Sequence, residues 1–172
     1  NKIIDFGKTP IYVRNQSDLL KCDALIIPGG ESTVMSKMLD FNNLREAILD
    51  LKDKINIMGV CAGMVLLSKT NGYANLQTLS IMDFKVERNG FGRQINSFKS
   101  NIKFLPSNDN IEVSFIRAPK ISSFSEKVEC LAEFKGKPVM VSNGRHIACS
   151  FHPEFSPNNA IYEYFSNLIE VS

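Results

Sequence analysis

The hydrophobic pattern begins with Ala24-Leu25-Ile26-Ile27, an unbroken apolar run that stops at Pro28-Gly29-Gly30. A strand buried on both faces and ended by a tight turn reads this way. Ser32 or Thr33 is then placed to cap a helix. Leu44, Ala47, Ile48 and Leu51 recur at i, i+3, i+4 and i+7, the stripe of a helix packed on a sheet. Residues 55–60 form a second buried strand that runs into Cys61-Ala62-Gly63-Met64-Val65-Leu66-Leu67, where the period becomes helical. The second half is richer in strands, at 81–87, 112–117, 128–134 and 139–141. Asn143-Gly144 between Val139-Met140-Val141 and His146-Ile147-Ala148-Cys149-Ser150-Phe151 predicts a hairpin, since both turn residues tolerate positive φ. Ile161, Tyr164, Phe165, Leu168 and Ile169 repeat the helical stripe after Pro157-Asn158. The sum is an α/β fold: a mostly parallel sheet with helices on both faces and an antiparallel extension.

Length and composition leave room for one domain. A chain of 172 residues with 44% hydrophobic content supports a single core, and no repeat or long linker divides it. No stretch approaches the ~20 consecutive apolar residues of a membrane span, and Asn1-Lys2-Ile3-Ile4-Asp5 lacks a secretory layout, so a cytoplasmic protein is expected. A formal charge of +2 without a basic cluster gives no reason to expect a nucleic-acid partner. The four cysteines show no CxxC pair and there are two histidines, so neither a metal nor a cofactor is expected. Cys22, Cys130 and Cys149 sit in or beside apolar stretches and read as small buried hydrophobes.

Cys61 differs in its neighbours. Gly59-Val60-Cys61-Ala62-Gly63 has the G-x-nucleophile-x-G form of a strand-to-helix elbow, which projects the central side chain above the sheet. The alternative is a buried thiol in a glycine-containing turn. A cysteine nucleophile needs a base, and the choice is between His146 and His152. His146 follows the hairpin turn and is expected at a solvated tip. His152 stands in His152-Pro153-Glu154, where proline biases it toward an extended backbone, so that Glu154, two residues on, can orient its ring. In Pro28-Gly29-Gly30-Glu31-Ser32-Thr33, backbone amides can approach a ligand; Gly30 and Ala62 are the expected oxyanion donors. Arginines in Arg88-Asn89-Gly90-Phe91-Gly92-Arg93-Gln94 and Phe115-Ile116-Arg117-Ala118-Pro119 can clamp a carboxylate, or can be solvated surface groups.

These segments, with Ser150-Phe151-His152-Pro153-Glu154, together resemble the glutaminase subunits of pyridoxal 5′-phosphate synthase, a branch of the triad-type glutamine amidotransferases. They occur in that family's order over most of the chain. The resemblance implies a flavodoxin-like three-layer fold in which Cys61 attacks the carboxamide of L-glutamine and His152, oriented by Glu154, protonates the departing ammonia. It implies that Gly29, Gly30, Glu31 and Ser32 line the glutamine site while Arg88, Ile116 and Arg117 hold the substrate. It further implies ammonia delivery to a (β/α)8-barrel synthase subunit in a large hetero-oligomer, for vitamin B6 biosynthesis. Members of that family begin with a strand and a Leu-Gln-Gly turn ahead of the first helix. This chain starts inside the corresponding helix, so residues 1–172 are expected to be one glutaminase domain lacking its first central strand. Two rival functions remain: a glutaminase serving another synthase, such as the imidazole glycerol phosphate enzyme, and a non-enzymatic flavodoxin-like thiol sensor.

Overall fold

The computed structural model describes residues 2–71, 76–87 and 97–171. In chain order the elements are α1 (Lys2–Asp5), α2 (Gln16–Leu19), β1 (Ala24–Ile27), α3 (Ser32–Phe41), α4 (Leu44–Leu51), β2 (Asn56–Val60), α5 (Ala62–Leu67) and β3 (Ser68–Asn71). They continue with β4 (Met82–Glu87), β5 (Ser97–Phe104), β6 (Asp109–Ile116), β7 (Lys120–Phe124), β8 (Glu129–Phe134), β9 (Lys137–Ser142) and β10 (Ile147–Cys149). A 3-10 turn over Pro153–Phe155 and α6 (Ala160–Val171) complete the described chain.

β1, β2 and β10 pair in parallel, with Ile26 opposite Met58 and Met58 opposite Ile147. From β10 the sheet continues antiparallel through β9, β8, β5 and β6. The antiparallel part is thus larger than the extension expected from sequence, and the sheet is mixed. β5 with β6, β8 with β9 and β9 with β10 are joined by short connections, which antiparallel neighbours accept and parallel ones do not, whereas β5 and β8 pair with β6 and β7 between them in sequence. The antiparallel strands curl, so that β6 at the far edge meets the chain just past β10: the N–H of His152 donates to the Ser114 carbonyl at 2.8 Å. A second sheet holds β4 between β3 and β7.

The period of β2 explains the two cores. All five of its residues are buried. Ile57 faces the core shared with Leu19, Ile48 and Leu66, whereas Met58 and Val60 face the one inside the curl with Ile102, Phe115 and Phe151. Phe98 stacks on Phe115 at 4.8 Å within that curl. α5 crosses close behind β1, and a Cβ at Gly63 would collide with the Ile27 carbonyl, so the crossing needs glycine there. α3 is capped by Glu31, whose carboxylate accepts from Thr33 N–H at 3.0 Å and Val34 N–H at 2.7 Å, rather than by Ser32 or Thr33. Ser32 is instead the first helical residue and is buried. Arg45 on α4 is buried too, donating to Ser36 Oγ at 2.8 Å and to the Thr78 carbonyl at 3.2 Å, and so ties α3 to the chain after residue 75.

The hairpin between β9 and β10 pairs Ile147 with Ser142 around a four-residue loop, Asn143 to His146, with Gly144 at φ +86. The expectation of a solvated His146 is corrected. Its side chain turns inward, is 3% exposed, and accepts the N–H of Ile57 on Nδ1 at 3.1 Å. This amide of the interior strand β2 would otherwise be buried without an acceptor, which costs more than the loss of hydration for one neutral imidazole. Along β1, which among the described residues pairs with β2 on one edge only, runs an apolar cavity of about 1230 Å³ lined by Ile11, Val13, Leu25, Met35, Phe165 and Ile169 among others. Among the described residues no helix is long and apolar enough to cross a membrane.

Candidate active site

The site lies beyond the carboxyl ends of β2 and β10, where open sheets with parallel strands commonly bind ligands. Cys61 occupies the bend between β2 and α5 at φ 51 and ψ −102, a backbone state that a non-glycine residue holds only when its surroundings enforce it. The enforcement is visible: its N–H donates to the Cys149 carbonyl at 2.8 Å, and its own carbonyl accepts from Val65 N–H at 3.2 Å. The strand's last hydrogen bond therefore runs straight into the helix's first. The Cys61 side chain, 7% exposed, makes a long contact of 3.7 Å to the Ile116 carbonyl and faces the His152 ring, whose charged form it favours.

His152 has an extended backbone at φ −105 and ψ 93, as the following proline dictates. Its Nδ1 lies 2.6 Å from Glu154 Oε1, which leaves Nε2 for the thiol. Glu154 reaches the ring differently from the sequence argument: it stands in the 3-10 turn Pro153–Phe155, not on a continued strand. The imidazole is pushed up to about 9 by its hydrogen bonds to Cys61 and Glu154, which outweigh burial. Glu154 is held below the ordinary carboxylate range: burial opposes its charge, but the bond to His152, its own backbone N–H and the charges of His152 and Lys2 prevail. An imidazolium between a sulfur and a carboxylate is therefore the favoured state near neutral pH.

Gly29 makes room for that ring. A Cβ there would lie 3.3 Å from each ring nitrogen and closer still to Cε1, so any side chain would displace the imidazole. Gly30 is exposed, Glu31 caps α3 with its carboxylate, and Ser32 is buried, so the Gly-Glu-Ser loop faces the site with backbone more than with side chains. Ala62 is the first residue of α5, where backbone N–H groups lack intrahelical acceptors. Ile116 ends β6, 37% exposed, with its carbonyl on the thiol; Arg117 follows at φ 45, exposed at the rim. Arg88, with the rest of residues 88–96, lies outside the described residues. Among the described residues no group of three or more His, Cys, Asp or Glu is placed to hold a metal. The four cysteines are free thiols.

Three contributors were not found from sequence. Cys149 supplies the carbonyl that orients the elbow, Ser114 the carbonyl that holds His152, and the Phe155 ring lies 5.9 Å from the imidazole. The first two act through backbone, which leaves no trace in residue identity. Phe155 adjoins His152-Pro153-Glu154 and could have been singled out as an aromatic beside a candidate base.

A cysteine on a strained strand-to-helix bend, backed by a histidine and a carboxylate on a mixed α/β sheet, defines the class of cysteine-dependent amidases and acyl transferases. The match to a family description is more particular: over residues 2–171 the chain belongs to the SNO glutamine amidotransferase family. It is 40% identical to subunit PdxT of pyridoxal 5′-phosphate synthase from Oceanobacillus iheyensis, over 98% of this chain and 86% of that protein. It is 43% identical to the PdxT subunit from Thermoanaerobacter pseudethanolicus, over 97% of this chain and 89% of the other. Among solved structures, a glutamine amidotransferase superposes with a TM-score of 0.92 at 32% identity, covering 98% of this chain and 90% of that one. A glutamine amidotransferase from Thermotoga maritima, 15% identical over 96% of this chain and 70% of its own, shares the fold with a TM-score of 0.56.

Proposed function

We propose that the chain hydrolyses L-glutamine to L-glutamate and ammonia as the glutaminase subunit of a cytoplasmic pyridoxal 5′-phosphate synthase. The observation that carries this reading is the line from Cys61 through His152 to Glu154 at the end of β2, with the ring's Nδ1 at 2.6 Å from the carboxylate. With the proton of the pair held on His152 Nε2, the sulfur attacks the side-chain carbonyl carbon of glutamine. The N–H groups of Gly30 and Ala62 take the oxyanion, a role in which one donor is worth ~10²–10³ in rate. As the C–N bond breaks, the imidazolium gives its proton to the leaving nitrogen and ammonia departs. Water, deprotonated by the now neutral ring, attacks the thioester, releasing glutamate and restoring the imidazolium beside the freed sulfur. Glu154 stays ionised throughout and steadies the imidazolium. Gly29, Glu31 and Ser32 line the substrate's path, while Arg88, Ile116 and Arg117 hold its α-carboxylate end. Ammonia passes to a (β/α)8-barrel synthase subunit in a hetero-oligomer; the naming of relatives as subunits of pyridoxal 5′-phosphate synthase supports a synthase partner. Residues 1–172 act as one glutaminase domain, and the apolar slot beside β1 has the form of a seat for a further parallel strand.

The test is glutamate release from glutamine with and without the synthase. Cys61→Ala is expected to abolish release, and His152→Ala to lower it by at least ~10²-fold. Release that survives Cys61→Ala defeats the proposal.

A further inference from the structure

We propose that Lys2 is a positioning residue for the Cys61–His152–Glu154 line, its ammonium clasping the turn that carries Glu154 and setting a fixed positive charge behind that carboxylate. This rests on the glutaminase reading above. Lys2 stands on α1, more than 150 residues from the turn in sequence. Its Nζ donates to the Ser156 carbonyl and, at 3.0 Å, to the Asn158 carbonyl, and lies 5.7 Å from the centre of the Tyr162 ring. Those two carbonyls belong to the segment that links the 3-10 turn to α6, and that segment is also held by local bonds and by one to β6. Ser156 N–H donates to the Pro153 carbonyl at 3.1 Å, Ser156 Oγ to the Glu112 carbonyl at 2.5 Å, and Asn158 N–H to Ser156 Oγ at 3.2 Å. Lys2 is the cation in this cluster and brings α1, the turn and α6 to one point.

A lysine gives up much rotamer freedom to be held this way, so a surface staple far from any charge would gain little. Here the ammonium has a partner beyond its hydrogen bonds. Its charge is one of the influences that keep Glu154 ionised, and Glu154 in turn favours the charge on Lys2, against the burial that lowers it. The groups facing Glu154 are Lys2 from α1, His152 from its own turn, Tyr162 from α6 and Cys149 from β10; Cys61 faces His152 from the elbow, and Asp5 faces Lys2 along α1. Lys2 and the imidazolium are thus the two cations whose charges favour ionised Glu154. Without it the turn loses two tethers, and a displacement of about 1 Å in the group that orients an acid–base residue can cost ~10²-fold in rate.

The experiment measures kcat and KM for glutamate release between pH 5 and 10, with excess synthase, for the wild-type chain, Lys2→Met, Lys2→Gln and Lys2→Arg, together with their melting temperatures. Lys2→Met and Lys2→Gln are expected to lower kcat about tenfold with KM within about twofold, and to move the acid limb of kcat to higher pH, because Glu154 then takes up a proton more readily. Lys2→Arg is expected to restore most of kcat and the limb. A wild-type kcat and limb in either uncharged variant overturns the proposal. So does a lowered kcat with an unmoved limb, which would make Lys2 a structural staple; Lys2→Gln, which keeps a donor, serves if Lys2→Met does not fold. Wild-type activity that resists Cys61→Ala, or no wild-type activity at all, is a different outcome: it removes the glutaminase reading, and the Lys2 proposal with it.

Discussion

His146 makes folding stability depend on pH in a way that can be worked out from its surroundings. The ring is 3% exposed and accepts the Ile57 N–H on Nδ1, so it must be neutral at that nitrogen. Burial, reinforced by Arg145 and Lys52, lowers it from 6.5 to about 4. Its folded value lies below its unfolded value, so the unfolded chain binds more protons between the two. Stability is complete above pH 6.5 and is lost as pH falls toward 4. At pH 5 the loss is about 2 kcal/mol, from RT times the logarithm of the ratio of the two proton-binding factors. With a urea slope of about 2 kcal/mol per molar, the unfolding midpoint should fall by about 1 M between pH 7 and pH 5 from this group alone. The control is His146→Asn, whose side-chain oxygen can still accept from Ile57 but does not titrate. Other groups titrate equally in both proteins, so the difference between the two pH profiles isolates the histidine. His152, with its value raised, acts in the opposite sense and above pH 6.5, outside this window. Parallel profiles for the two proteins would refute the reasoning.

Gly29→Ala should lower glutaminase kcat at least ~10-fold while circular dichroism stays native, since the new methyl falls on the His152 ring rather than in a core; wild-type kcat would show that the ring has room to move. Glutamate release should decline above about pH 9, where the His152 imidazolium proposed to protonate the leaving nitrogen loses its proton; a rate that holds level to pH 10.5 contradicts this. Gly63→Ala should destabilise by about 3 kcal/mol in urea unfolding, because its methyl meets the Ile27 carbonyl and backbone cannot yield as a side chain can.

Much of the site was legible before the fold. The apolar runs at 24–27 and 55–60 could only be buried strands, and their turns carry the glycine loop and the elbow. His152 and Glu154 stood out because proline restricts the histidine and because the chain has few histidines to choose from. What escaped has physical reasons. β5 reads Ser-Phe-Lys-Ser-Asn-Ile-Lys-Phe and buries only Ile102 and Phe104 fully, so its alternation is too weak to announce a strand. The curl that brings Ser114 to His152 depends on pairing between residues far apart, and no local pattern encodes it. His146 was misplaced because a hairpin turn is usually solvated, whereas this loop is four residues long and folds its last side chain under β2. Glu154 reached the expected partner by an unexpected path, since a proline at the first position of a 3-10 turn serves the geometry as well as an extended strand would.

The central claim is that the sulfur of Cys61 is the atom that attacks glutamine. Its most direct test is to inactivate the chain with a glutamine-shaped diazoketone in the presence of synthase and to locate the adduct by peptide mass spectrometry. The account predicts one label, on Cys61, whose formation glutamine slows and Cys61→Ala prevents. Complete inactivation with Cys61 unmodified, or with the label on Cys22, Cys130 or Cys149, would contradict it.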